Sequence, residues 1–161
     1  MRSRAVIRAV KLAARRKTVL LRLYRVADDG SETLEATSAP VTMVAAAAIC
    51  KLFQEPSSIR PDIESLKRVF QVYGHTAWAG FVARDAFTAV QQASLQHDVR
   101  RAKGVLIIIT LAMDFNIVDT VDRVMNALHR PAPAGLESAL LVTYDEALEG
   151  EVKVELLWLG V

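Results

Sequence analysis

The segment Lys103–Ala112, "KGVLIIITLA", decides the fold. After its first residue it is apolar without alternation and rich in β-branched side chains. A run of this length and composition reads as a central strand covered on both faces, which is the pattern of a sheet with helices packed on it. The neighbouring segments agree. Before it, Asp85–Gln96 reads as a helix with Asp85 as N-cap, preceded by a strand at His75–Ala83, "HTAWAGFVA". After it, Asn116–His129 reads as a helix with Ile117, Val121, Val124, Met125 and Leu128 inward. Two further strands close the chain, "ESALLVTYD" and "GEVKVELLWLG", joined by an acidic turn at Ala147–Gly150. In the last strand Val152, Val154, Leu156 and Trp158 alternate with Lys153, Glu155 and Leu157, which predicts one buried face. The order βαβαββ predicts an α/β domain with a mixed sheet, in which two helical crossovers give parallel pairings and one hairpin an antiparallel one.

Moving towards the N-terminus, Asp62–Val72 is helix-like, with Ile63, Leu66, Val69 and Phe70 on one side. Ser38–Phe53 reads as a long apolar helix, with Ser38 as N-cap, Pro40 in its first turn and Pro56 as its stop. Its alanines admit close neighbours, so it is expected at the centre of the fold. Thr18–Val26 is a strand and Asp28–Glu32 a turn. Arg2–Lys17 reads as a basic helix with Arg4, Arg8, Lys11 and Arg15 on one face and Val6, Ala9, Val10 and Ala13 on another. That basic face is either a contact surface for a membrane or an acidic protein, or an ordinary solvated face. The segment's Arg-rich, acid-free composition also has something of a transit peptide, though with one serine and no cleavage site. These readings divide the chain into a basic N-terminal helix and strand (1–37), a central helix (38–56) and an α/β unit (57–161).

Composition narrows the class. The chain has 161 residues, of which 52% are apolar and 24% charged, as expected of one globular domain. The longest near-apolar stretch of the chain, "SAPVTMVAAAAIC" at residues 38–50, is too short and too alanine-rich to cross a bilayer. No signal-peptide pattern opens the chain. A single cysteine, Cys50, excludes an internal disulfide framework and suits a cytoplasmic, reducing setting; it is expected as a small buried residue. The net charge of +2 is unevenly spread: residues 1–25 carry nine basic and no acidic residues, and the remainder is acidic by seven charges. Nucleic acid is therefore not an expected partner of the main body.

Motifs for chemistry are mostly missing. Neither G-x-x-x-x-G-K-S/T nor G-x-G-x-x-G occurs, and no cofactor is implied. His75, His97 and His129 lie far apart with no metal-ligand spacing, and each has a plain reading: His75 in a turn, the others at helix C-termini. Asp28/Asp29 and Asp145/Glu146 sit in turns. No nucleophile, base and oxyanion site assemble, so an enzyme is not expected.

Three segments carry a resemblance. Residues 49–62, "ICKLFQEPSSIRPD", resemble the end of the central helix and the next loop of the bacterial cell-division tubulin FtsZ, I-S-D-L-I-x-x-P-G-L-I-N-x-D-x-x-D. "AKGVLIIIT", residues 102–110, is similar to that family's A-K-G-V-L-x-N-I-T strand. "YDEALEGEVKVELLWLG", residues 144–160, is similar to its D-E-x-L-x-x-x-V-x-V-T-V-I-A-T-G ending. The resemblance covers roughly residues 38–161 and implies the tubulin/FtsZ C-terminal domain, a βαβαββ sandwich packed on a long central helix. It also implies departures. The family's nucleotide site is built mainly by a GTPase domain with a G-G-G-T-G-T-G loop, and neither is found here. The family's loop after the central helix enters the nucleotide site of the next subunit, where its carboxylates position water and cation. In this chain that loop includes Ser58, with Arg60 at the asparagine position, Asp62 at the first aspartate and Ser65 at the second. Serine brings no charge, so hydrolysis is not expected to be activated well. Asp62 also reads as a helix N-cap, a role compatible with an interface. The sequence ends at Val161, where the family continues into a linker and a tether-binding peptide, which leaves the basic N-terminal helix as the visible membrane contact.

Two functions follow from this. The first is a non-catalytic, FtsZ-like module that binds or caps filaments through its C-terminal-domain face, with an FtsZ-like subunit as partner. The second is a stand-alone homo-oligomer, similar in layout to chorismate-mutase-like domains, with a small-molecule site between subunits. Arg84, Arg100 or Arg101 would then meet the ligand, and Trp78 and Trp158 would anchor the interface.

Overall fold

Strand β6 (Gly104–Leu111) is buried along its whole length in the computed structural model, which describes residues 3–11, 17–129 and 135–161. Its side chains serve two cores. Val105, Ile107, Ile109 and Leu111 face one, and Leu106 and Ile108 the other. It lies in a four-stranded sheet of order β5-β8-β6-β7, with β5 at Thr76–Ala83, β7 at Glu137–Tyr144 and β8 at Val152–Leu159. β6 and β7 are parallel across the helix α4 (Ile117–His129), as the pattern predicts.

The rest of the strand pairing differs from expectation. β8 does not form a hairpin with β7; it inserts between β5 and β6 and is antiparallel to both. β5 and β6 therefore run parallel without touching. The reason lies in β8 itself. Besides Val152, Val154, Leu156 and Trp158, its other face carries Leu157 and Leu159, all nearly inaccessible. A strand apolar on both faces gains most at the centre of a sheet, each large side chain contributing about 1.5–3 kcal/mol when fully buried. β7 keeps Ser138 exposed and Leu140 half-exposed and takes the edge. Trp158 belongs to this core with none of its surface exposed, so it anchors no interface.

Helix α3 (Ala86–Ser94) and α4 cover one face of the sheet. Asp85 caps α3 as expected, accepting from the Thr88 N–H at 2.8 Å. On the other face lie α1 (Met43–Gln54) and α2 (Ile63–Phe70), which pack in turn against a second sheet formed by β1 (Arg4–Lys11), β2 (Thr18–Val26), β3 (Glu32–Thr37) and β4 (Val41–Thr42). One apolar core runs from Leu21 and Leu23 through Ile49, Leu66 and Phe70 to Ile108 and Leu157.

Two expectations at the N-terminal end are corrected. The segment read as a basic helix is the strand β1, antiparallel to β2 over its full length. The β-branched Val6, Ile7 and Val10 favour extended backbone, and pairing with β2 buries Ile7, which an isolated helix would leave in water. The central helix is shorter than read. It begins at Met43, with Thr42 as N-cap accepting from the Ala45 N–H at 3.2 Å. Ser38 is instead buried at the edge of β2: its hydroxyl accepts from the Leu21 N–H at 2.9 Å and donates to the Ala39 carbonyl at 2.8 Å. A side chain that satisfies a strand N–H is not free to cap a helix. No helix among the described residues is long and apolar enough to cross a membrane.

Candidate functional site

The loop between α1 and α2 is built from side chains that turn back on the chain. Glu55 ends α1 in extended backbone. Ser58 and Ile59 then add to the edge of β7: the Ser58 N–H donates to the Val142 carbonyl at 2.8 Å, and the Val142 N–H to the Ile59 carbonyl at 2.9 Å. Thr143 Oγ1 donates to the Pro56 carbonyl at 3.3 Å. The loop is thus sewn to the sheet at three points, and its position is set by β7.

Arg60 closes α1. Its Nη2 donates to the Phe53 carbonyl at 2.5 Å and the Glu55 carbonyl at 2.9 Å, and its Nε to Ser57 Oγ at 2.9 Å. A guanidinium at the C-terminal end of a helix meets both its unsatisfied carbonyls and its negative dipole end. Asp62 opens α2, with Oδ1 accepting from the Ser65 N–H at 2.7 Å. That backbone bond, followed by one from the Ser65 hydroxyl, holds the Asp62 carboxyl below its ordinary pKa. Ser65 in turn accepts from Arg68 Nη2 at 3.4 Å. The loop residues singled out from the sequence are therefore together, and the helix-cap role of Asp62 is present.

Beside this loop lies a cleft of about 420 Å³, lined by Phe53, Arg60, Asp62 and Glu64 from the loop side and by Ser3, Arg4 and Arg25 from the second sheet. The Arg25 guanidinium bridges the two sides, at 2.7 Å from Glu35 and 3.1 Å from Glu64; Lys67 reaches Glu35 at 3.6 Å. Arg4 thus joins the loop residues at one mouth. The other basic residues do not. Arg8 points across the sheet and grips Glu32 through two bonds of 2.6 Å, lying over the Tyr24 ring. Lys11 ends β1 on the opposite strand parity, and Arg15 lies outside the described residues. Among the described residues, Arg4, Arg8 and Lys11 do not form a single basic stripe.

A second cleft, also of about 420 Å³, was not foreseen. It lies between α1 (Lys51, Glu55) and the sheet, with Thr110, Thr143, Lys153 and Glu155 on its floor. Thr110 pairs across the sheet with both Thr143 and Lys153, so the three form one row. Glu155 is 7% exposed, and burial pushes its pKa up against the opposing pull of Lys153 Nζ at 3.6 Å. The sequence signal was there: polar residues at same-face positions inside otherwise apolar strands.

The remaining candidates have structural surroundings. His97 lies 2.8 Å from the Trp78 carbonyl on the open edge of β5, and Gln96 bonds both the N–H and the carbonyl of Gly80 there. The His129 side chain lies outside the described residues. Arg100 is paired with Asp98 at 2.8 Å; Arg84 and Arg101 are exposed. Cys50 is half-buried, and burial pushes its thiol up. Among the described residues no group of three or more His, Cys, Asp or Glu side chains is placed to hold a metal ion.

No protein-family model matches the chain, and no curated protein sequence does so significantly. Solved structures do match. An empty FtsZ dimer from M. jannaschii superposes at TM-score 0.62 and 22% identity, over 73% of this chain and 38% of that one. A single-substitution mutant of M. jannaschii FtsZ gives TM-score 0.62 and 22% identity over 73% and 40%. TubZ of Bacillus thuringiensis serovar israelensis, in GDP-form protofilaments, gives 10% identity over 73% and 35%, at TM-score 0.47. The chain therefore spans less than half the length of FtsZ. The resemblance to FtsZ is one of fold, and the mixed sheet with its helices is of the FtsZ/tubulin C-terminal-domain type.

Proposed function

We propose that this chain is a non-catalytic, FtsZ-like binding module that occupies the end of a cytoplasmic FtsZ filament through the face carrying the α1–α2 loop. The observation that supports this most is how the loop's polar side chains are used. Arg60 closes α1, Asp62 opens α2, and Ser65 stands where the family resemblance implies a second carboxylate. A loop so engaged keeps its shape but has little left with which to orient an attacking water or a cation. It remains able to present a surface. In the family that surface meets the nucleotide face of the next subunit, and these 161 residues contain no glycine-rich phosphate loop to build such a face of their own. A module that presents only the loop-bearing face to a filament would end the chain that it joins.

The test is GTP-driven polymerisation of purified FtsZ, followed by light scattering and phosphate release as this protein is added. Substoichiometric loss of polymer, weakened by an Arg60→Ala/Asp62→Ala double variant that still unfolds cooperatively, supports the cap. No change in either signal at several-fold excess overturns it.

A further inference from the structure

We infer that the outer face of the β1–β4 sheet is a self-association surface that receives the acidic β7–β8 turn of a second copy of this chain. In β1, Ala5 and Ile7 point into the core, so Val6, Arg8 and Val10 take the other face; the register sets Tyr24, Arg22 and Leu20 of β2 beside them. Leu34 of β3 extends the face and is 50% exposed. None of these side chains belongs to either apolar core. Most sheets that leave a face to water carry polar residues there. This one carries two apolar patches, Val6 and Leu34 beside Tyr24 and the half-buried pair Val10–Leu20, divided by the Arg8–Arg22 pair.

Its charges select the occupant. Glu32 on this face is consumed by Arg8 through two bonds. Arg22, on the central strand, has a buried Nε with no hydrogen-bond partner among the described residues. A buried guanidinium N–H without an acceptor is costly, and a carboxylate that draws the Arg22 side chain outward would relieve it. The same chain supplies one. Its β7–β8 turn carries Asp145, Glu146, Glu149 and Glu151 with no basic residue between Tyr144 and Val152, and half-buried Leu148 in their midst. The turn is held in shape by the Asp145 side chain, which accepts from the Ala147 N–H at 2.9 Å, and by the Leu148 N–H donating to the Asp145 carbonyl at 3.1 Å. That leaves Glu146 and Glu149 exposed and uncommitted. An apolar, arginine-bearing face and an apolar, carboxylate-rimmed turn are complementary. Among the described residues of the face the one aromatic ring, Tyr24, lies under Arg8, so stacking of nucleic-acid bases is disfavoured.

The contact joins two different surfaces and can repeat, so association is open-ended rather than stopping at a dimer. It does not depend on the filament-end reading. Sedimentation velocity of the whole chain against concentration tests it, at about 50 mM and about 500 mM salt, between which screening of surface charge rises several-fold. Expected is a weight-average mass above the 17.7 kDa monomer at low salt, falling towards it at high salt. Arg22→Glu and Glu149→Lys should each weaken association by about tenfold or more, and the double variant carrying both should recover it. Arg22→Gln, which keeps the volume, controls for folding. A monomer at every concentration overturns the inference. So does association that neither reversal alters, which would assign another face, or a monomer that binds anionic phospholipid vesicles through Arg22, which would assign the face to lipid.

Discussion

Arg60 Nη2 lies 2.5 Å from the Phe53 carbonyl, seven residues back at the end of α1. The residue that departs most from the FtsZ pattern in this loop is thereby the residue that terminates the central helix. An asparagine at this position would be too short to reach Phe53, Glu55 and Ser57 together. The loop is thereby fastened inward at this position.

Arg60→Ala should therefore destabilise the fold by about 1–2 kcal/mol, the scale of charge-assisted hydrogen bonds in partly exposed settings. Arg60→Lys should recover less than half of the loss, because one ammonium cannot match a planar fork that reaches two carbonyls and a hydroxyl. Urea unfolding of the three proteins measures this. Equal stability of the lysine variant and the parent would show that charge at the helix end, and not the fork, is what matters.

Asp62 carries a second, pH-dependent contribution. Its folded pKa lies below the ordinary 3.8 because the Ser65 N–H bonds the ionised form. The stabilisation is complete above 3.8 and is lost as pH falls through the folded value. Asp62→Ala should cost about 1 kcal/mol at neutral pH, and Asp62→Asn only part of that, since an amide oxygen also caps. The gap between Asp62→Asn and the parent should close in acid. Thermal melts at neutral pH and near pH 3 test both statements, and a gap that persists in acid would remove the charge argument.

The fold was legible where one-dimensional pattern and three-dimensional demand coincide. The apolar run at Lys103–Ala112, the cap at Asp85 and the inward stripe of α2 each name their element locally. Pairing was not legible. Nothing local tells Leu157 and Leu159 that a second core waits on their side of the sheet, so β8 reads as one-sided and its move between β5 and β6 is invisible. Likewise, Arg4, Arg8 and Lys11 fit a helical stripe as well as a strand; the partner β2 decides between them. In the candidate site, the cap of Asp62 could be read from spacing. The inward turn of Arg60 could not, because its acceptors are main-chain carbonyls that exist only once α1 has ended.

Trp158 offers a clean separation of volume from polarity. It is fully buried, and its indole N–H has no partner among the described residues. Trp158→Ala should cost about 3–5 kcal/mol through the cavity that it opens. Trp158→Phe should cost much less than half of that, because the smaller loss of packing is offset by removing an unsatisfied donor. Denaturant melts settle it. Similar losses for both variants would mean that the N–H is satisfied, for instance by a water molecule.

Glu155 should make stability fall as pH rises. Burial under α1 raises its pKa above the ordinary 4.5, and Lys153 at 3.6 Å lowers it by less. From 4.5 up to its folded value, the native state holds a proton that the unfolded chain has released. Stability is thus highest below 4.5, declines through that window, and is flat above it as far as this group is concerned. Glu155→Gln keeps the shape and removes the titration, so it should raise the melting temperature at neutral pH by a few degrees, about 2–4 °C for each kcal/mol in a chain of this size. Below pH 4.5 parent and variant should converge. The charged groups that face the carboxylate from the neighbouring elements are Lys51 and Glu55 on α1, Asp145 after β7 and Lys153 on β8 itself. Lys153→Met should therefore steepen the decline by removing the cation in contact. Melting curves from pH 4 to 8 on the parent and both variants decide the matter: a glutamine variant that tracks the parent across the whole range would place water, rather than protein, around Glu155.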